Sequence, residues 1–347
     1  MVSLFKAGQR PILTLEEGER EMALLQNSMK QLGMFDREYL YYFSYAFVFF
    51  VLYLSCYLLL HMLSSYISIF FVAIFFGLVV VQLAGLMHDA GHKAIFKSDR
   101  KNIFCAYLFG LSVGLNPFHW YTKHDLHHKH PNKEGCDPDL KVPFSFTQQH
   151  YENPTRMMRW MRSFQDWAYF PLCAGMVYHL HFRFNILEPI QHYTTKTGFL
   201  DILWSCVCLS LWYGTPFLLT DPGKALFFIL ISMSVMGLYA SNVFAPNHKA
   251  MPQLDKDAVM SELEQQIITT RNVKPSFLND ILYMGLNYQM EHHLFPHCAR
   301  NKYKAIAPFV RSLTERLGLP YTMDTPFEAY RAILRELSEV RHTCQRH

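Results

Sequence analysis

Two stretches of the chain, Tyr41 to Leu60 and Tyr66 to Met87, run for bilayer length without a Lys or an Arg. At 1.5 Å per residue, about 20 helical residues cross about 30 Å of hydrocarbon. Two further runs follow, Phe199 to Thr220 and Ala225 to Pro246, with Asp201 near the start of the first. The intervening segments, HMLSS at 61–65 and DPGK at 221–224, read as turns, so the spans at 41–60, 66–87, 199–220 and 225–246 are expected to form two helical hairpins. Composition agrees: the 347 residues are 51% hydrophobic and 16% aromatic, apolar for a soluble protein of this size. The fold class expected is an all-α integral membrane protein with four transmembrane helices. The remainder, 1–40, 88–198 and 247–347, is expected to form a helical cap belonging to the same single domain, 1–347.

Charge placement orients these spans. No Lys or Arg lies between Tyr41 and Met87, and only Lys224 lies between Phe199 and Pro246, so nearly all of the 32 basic residues fall on the side opposite the turns. The excess of basic residues on cytoplasmic segments puts the cap and both termini in the cytoplasm. Two more apolar segments, Ile103 to Trp120 and Trp167 to Phe184, are interrupted by Gly, Pro, His or Arg and read as interfacial or re-entrant rather than spanning. Leu15 to Lys30 is charged and helical in pattern, so no cleavable signal peptide is expected. The eight cysteines are scattered, with no CxxC pair, as suits a reducing compartment.

Histidines mark the chemistry. They cluster as His88 and His92 in HDAGH, His124, His127 and His128 in HDLHH, and His292 and His293, with Gln289, in QMEHH. Residues three and four apart share a helix face, so His88 with His92, and His124 with His127 or His128, are placed to hold one metal. Neighbours such as His127 and His128 diverge by about 100° around the axis, which lets a doubled histidine serve two metals. A dinuclear centre in the cap is therefore expected. Each cluster also carries a carboxylate, Asp89, Asp125 or Glu291. These read either as groups that orient a ligating imidazole through its second nitrogen or as solvated charges.

HDAGH, HDLHHKHPNKEGCDPDL and GLNYQMEHHLFPH resemble the three histidine boxes of the membrane fatty acid desaturase superfamily, in the acyl-lipid branch whose third box begins with Gln. The likeness runs from the second span through TTRNV at 269–273 to the C-terminal helices. It implies that His88, His92, His124, His127, His128, His292 and His293 are metal ligands, with His248 of NVFAPNHK matching a further ligand found after the fourth span. Gln289 stands where many relatives have His. Its alternative role, like that of Asn242, is to hold a metal-bound water through the amide. His119, His130 and His297 match no box position.

The resemblance implies a pair of iron ions with O2 as co-substrate, removing two neighbouring hydrogens from an acyl chain to leave a double bond and two waters. An almost purely imidazole ligand set by itself suits zinc, copper or iron. Zinc, however, has no redox chemistry and a hydrolytic zinc site needs only three protein ligands. The fatty acyl substrate, linked to lipid, CoA or carrier protein, is expected to enter from the bilayer, with Trp120 either lining its tunnel or anchoring the membrane interface. The net charge of +4 suits an anionic head group or carrier. HPGG, the mark of a fused cytochrome b5, is absent, as are a dinucleotide fingerprint and an iron–sulfur cysteine set. A separate ferredoxin, or a cytochrome b5 with its reductase, is the expected electron donor.

Other readings of the same pattern are a diiron hydroxylase, acetylenase or ketolase and, more remotely, a membrane zinc hydrolase. HDAGH lacks the Glu of HExxH that serves a hydrolase as general base. A metal transporter would carry its histidines at mid-membrane depth, and no motif supports nucleic-acid binding.

Overall fold

The computed structural model describes residues 11–145, 152–192, 194 and 198–344; the parts of the expected cap at 1–10, 146–151, 193, 195–197 and 345–347 lie outside the described residues. In chain order the helices are α1 (Leu15–Gln31), α2 (Tyr39–Met62), α3 (Tyr66–Gly91), α4 (Asp99–Val113), α5 (Pro117–Lys129), α6 (Arg156–Met161), α7 (Gln165–Ala174), α8 (Met176–Phe182) and α9 (Glu188–Gln191). They continue as α10 (Gly198–Leu219), α11 (Pro222–His248), α12 (Glu262–Ile268), α13 (Phe277–Leu282), α14 (Gln289–Leu294), α15 (Tyr303–Leu317) and α16 (Pro326–Cys344). One short parallel pairing joins β1 (Asn272–Val273) to β2 (Met323–Asp324).

Four of these helices, α2, α3, α10 and α11, are long and apolar enough to cross a membrane. They match the four apolar runs and overrun most of their ends, because a helix continues wherever its backbone is satisfied, not only where it is greasy. Helix α3 runs on through HDAG, placing His88 in its last turn and His92 at its C-cap. DPGK is not a four-residue turn: proline is tolerated in a first helical turn, and Asp221 accepts the Lys224 N–H at 3.1 Å. Helix α11 therefore begins at Pro222, and it ends at His248 rather than Pro246.

The interrupted segments form no span. Ile103 to Trp120 is divided at Gly114, which ends α4 in the left-handed conformation (φ 79°). A Cβ there would also lie 2.6 Å from the His181 ring and 2.8 Å from Trp212, so glycine is required twice over. Trp167 to Phe184 is broken into the short helices α7 and α8, with Pro171 inside the first.

Backbone contacts divide the chain into two compact units: Arg37–Thr122 with Phe170–Asn242, and Met1–Asp36 with Lys123–Tyr169 and Val243–His347. In the first of these, α3 is the inner helix, with 56% of its apolar window buried against 11% for α2. Gly77 of α3 lets α11 approach closely, since a Cβ there would meet the Ser232 carbonyl at 2.8 Å; small residues serve this purpose between membrane helices. Phe76, Trp212 and Phe228 fill the space beside it, with ring centroids 5.0 to 6.1 Å apart.

The other unit is built around one cluster of buried hydrophobic side chains. Helix α1 opens with a capping box, Thr14 with Glu17, and contributes Leu25 and Met29. These pack with Leu263 and Ile267 of α12, Met290 and Leu294 of α14, and Ile306 and Val310 of α15. Helix α14 has only six residues, too few to be stable alone. Burial of Met290 and Leu294 on one side therefore fixes where its histidines point.

Candidate metal centre

Helix α5 supplies three imidazoles, α14 two and the last residue of α11 one, all within the second of these units. The His128 Nε2 atom lies 3.1 Å from His124 Nε2, one turn back, and 3.1 Å from His292 Nε2. The His127 Nε2 atom lies 3.3 Å from His248 Nε2, and the ligand atoms of His127, His248 and His293 are within 4.8 Å of one another. Both doubled histidines are thus split: His128 and His292 join one trio, His127 and His293 the other. Of the two partners open to His124, the trio contains His128.

The outer nitrogens decide what these trios accept. The Nδ1 of His127 faces Asp137 Oδ1 at 3.0 Å, that of His248 the Thr269 carbonyl at 3.3 Å, and that of His293 Gln266 Oε1 at 2.7 Å. Gln266 donates its amide N–H to the His128 carbonyl at 2.7 Å, which leaves its oxygen for His293. The Tyr303 hydroxyl, directed at the carbonyls of Phe295 and Cys298, likewise accepts from His292 Nδ1 at 3.1 Å. An Nδ1 that faces an acceptor carries the ring proton, so the Nε2 atoms of His127, His248, His292 and His293 present lone pairs. The His127 and His248 lone pairs, 3.3 Å apart, repel unless a cation lies between them. Metal–nitrogen bonds of about 2.0–2.1 Å place neighbouring ligand atoms about 3.0–3.4 Å apart. His293 Nε2 is buried and has no hydrogen-bond partner among the described residues. The residues present therefore fit metal ions.

Electrostatics point the same way. Burial, together with the crowd of neighbouring imidazoles at His128, His248, His127 and His292, holds His293 well below the usual histidine range and keeps the ring neutral. Burial also acts against charge on His127, but Asp137 and Asp139 outweigh it and raise that ring's basicity.

The expected supporting residues fall into different places. Asp89 bonds His88 Nδ1 at 3.0 Å and accepts from the Tyr42 hydroxyl at 2.8 Å. His88 and His92 stand 4.6 Å apart by ring centroids, and Trp120 lies edge-on to His88 at 5.9 Å. Asp125 is instead half-exposed and paired with Lys129 at 2.6 Å, because it sits around the helix from its histidines. The carboxylate beside α5 comes from Asp137, ten residues on. Glu291 is fully buried, yet it accepts from Asn272 and Tyr321 at 2.8 Å each rather than from an imidazole; burial pushes its carboxyl up to about 6. Asn242 donates to the Leu238 carbonyl of its own helix at 2.6 Å. Gln289 points its Nε2 at His248 Nε2, 2.9 Å away.

Several positioning residues were not singled out from the sequence. Asn132, in the left-handed conformation (φ 53°), donates to the His248 carbonyl at 2.8 Å. Buried Arg271 donates to the carbonyls of Pro246 and Lys249 at 2.7 and 2.8 Å, closing the end of α11 in the manner of a cationic C-cap. Their sequence signal was present but diffuse: both lie in polar segments, HPN and TTRNV, next to apolar runs.

Over residues 64–325 the sequence matches the family model described as fatty acid desaturase. The chain belongs to that family. It is 29% identical to a Delta(5) fatty acid desaturase of Caenorhabditis elegans over 74% of its own length and 60% of the relative's. It is 28% identical to an acyl-lipid (9-3)-desaturase of Borago officinalis, over 75% and 61% respectively. A Delta(8)-fatty-acid desaturase of Euglena gracilis is 26% identical over 94% and 80%. The chain thus spans about three fifths of the length of the first two curated relatives. As a desaturase-family protein with four apolar helices of spanning length, it is an integral membrane protein with a histidine-rich metal site.

Proposed function

We propose that this chain is a fatty acyl desaturase that uses O2 to introduce a carbon–carbon double bond into an acyl chain at a non-heme diiron centre. The observation that carries the reading is the pair of imidazole trios, in which the Nδ1 atoms of His127, His248, His292 and His293 each face an acceptor, in a chain of the desaturase family. The proposed ligands are His124, His128 and His292 on one side and His127, His248 and His293 on the other. The family's first box adds His88 and His92 to the set. When bound, the irons would supply the oxidising power for hydrogen removal from an unactivated methylene, and the protein supplies ligation and positioning.

The chain's own residues define the surroundings. Asp137, Thr269, Gln266 and Tyr303 hold the imidazoles in the tautomer that presents Nε2. Gln289 offers an N–H donor into the His248 side. The buried carboxylates Asp137 and Glu291 are committed, the first to His127 and the second to Asn272 and Tyr321; that arrangement suits oxidation better than hydrolysis. Asp137→Asn keeps an acceptor but removes the charge, so activity is expected to fall about 10- to 100-fold, the scale for groups behind a ligand, with weaker iron binding in a chelator competition.

The fatty acyl substrate, an external ferredoxin or cytochrome b5 and a cytoplasmic metal site complete the proposal. Mass spectrometry of lipids from cells expressing the chain with such a reductant is expected to reveal an acyl product lighter by two hydrogens. A product that has instead gained oxygen would make the enzyme a hydroxylase. Labelling from outside the cell should reach the turn at Asp221 and neither terminus; labelling of one terminus from outside would overturn the orientation.

A further inference from the structure

We propose that His119, Glu188 and His192 form a separate binding site for a zinc-type divalent metal, unconnected with the histidine boxes. His119 lies on α5, Glu188 opens α9, and His192 caps it. Their ligand atoms lie within 4.8 Å of one another, with His192 Nε2 3.7 Å from Glu188 Oε2. Asp201, in the first turn of α10, places Oδ2 4.0 Å from His119 Nε2 as a fourth donor. Tetrahedral zinc with bonds of about 2.0–2.1 Å needs ligand atoms about 3.3 Å apart, so a small inward movement closes the set.

Several features separate this cluster from a chance meeting of polar groups. The His119 ring is buried, and its Nε2 has no hydrogen-bond partner among the described residues; a buried ring nitrogen left so needs a partner. Burial also holds His119 below the usual histidine range, against the pull of Asp201 and Glu188, which keeps it neutral as a ligand must be. Arg183 donates to Glu188 Oε1 at 3.0 Å, and this aims the other oxygen at His192. Glu188 and His192, four apart, share a helix face. The π-helical turn Arg183–Leu187 just before them resets the register, a feature frequent at functional sites. The two imidazole rings lie nearly parallel, 5.7 Å apart. Two imidazoles and one or two carboxylates favour zinc among the common divalent ions. Bound there, the metal would clip the start of α5 to α9 and α10.

The test is metal content of the full chain, purified in detergent and freed of loosely held ions, for wild type and for His192→Gln and Glu188→Gln. His192 is exposed, so its replacement leaves the core intact. Wild type should hold one zinc equivalent that both variants lose, while box-bound metal is unchanged, and added Zn2+ should raise the melting temperature of wild type only. Equal zinc content and equal shifts in wild type and variants would overturn the site. So would zinc that disappears with His127→Ala but not with His192→Gln, because it would then sit in the boxes. Neither outcome depends on desaturase activity.

Discussion

His127→Ala, His128→Ala, His292→Ala and His293→Ala are each expected to abolish desaturation while leaving membrane insertion intact. Wild type should hold a pair of irons, and each variant should lose much of the metal of its own trio. The doubled histidines make this a sharp expectation, since neighbours in the chain serve different trios. In each trio the ring nitrogens converge, and removing one imidazole removes one of three nitrogen donors. His293→Ala should be the most severe for metal, because its Nε2 is buried without another partner among the described residues. Iron analysis alongside turnover checks both parts. A fully active variant with normal iron would remove that residue from the ligand set.

How far this centre was legible in the sequence differs residue by residue. The spans were, because bilayer crossing demands about 20 apolar residues in a row. Their ends were less so: Pro222 reads as a turn residue, yet with Asp221 capping it starts a helix. The splitting of His127 from His128 was legible because helical geometry alone sends neighbours apart. The outer groups were not. Asp125 lies beside the box in sequence but pairs with Lys129 on the helix surface. Asp137 reaches His127 through a loop that Asn132 folds back, its backbone N–H bonding Asp137 at 2.8 Å. Loop reversals of that kind bring together residues that no helical or strand period relates.

With His248 proposed as a ligand and Gln289 as a supporting group, their variants are expected to part accordingly. His248 has its Nδ1 on the Thr269 carbonyl and its Nε2 facing His127, and Asn132 and Arg271 hold the helix end that carries it. His248→Ala should therefore lose activity as completely as a box substitution and lose iron with it. Gln289 is oriented by Asn247, whose Nδ2 lies against three acceptors, the Val243 carbonyl at 3.1 Å, the Leu286 carbonyl at 3.1 Å and Gln289 Oε1 at 2.9 Å. That contact fixes the Gln289 oxygen away from His248 and its N–H toward it, and an amide N–H donates a hydrogen bond but does not bind a cation. Gln289→Ala should accordingly keep its iron and lose about 10- to 100-fold in activity, the scale expected of a group behind or beside the ligands. Iron content and turnover of the two variants discriminate. An active, fully loaded His248→Ala enzyme would remove that histidine from the centre, and iron loss in Gln289→Ala would mean that its amide turns over on metal binding and ligates through oxygen.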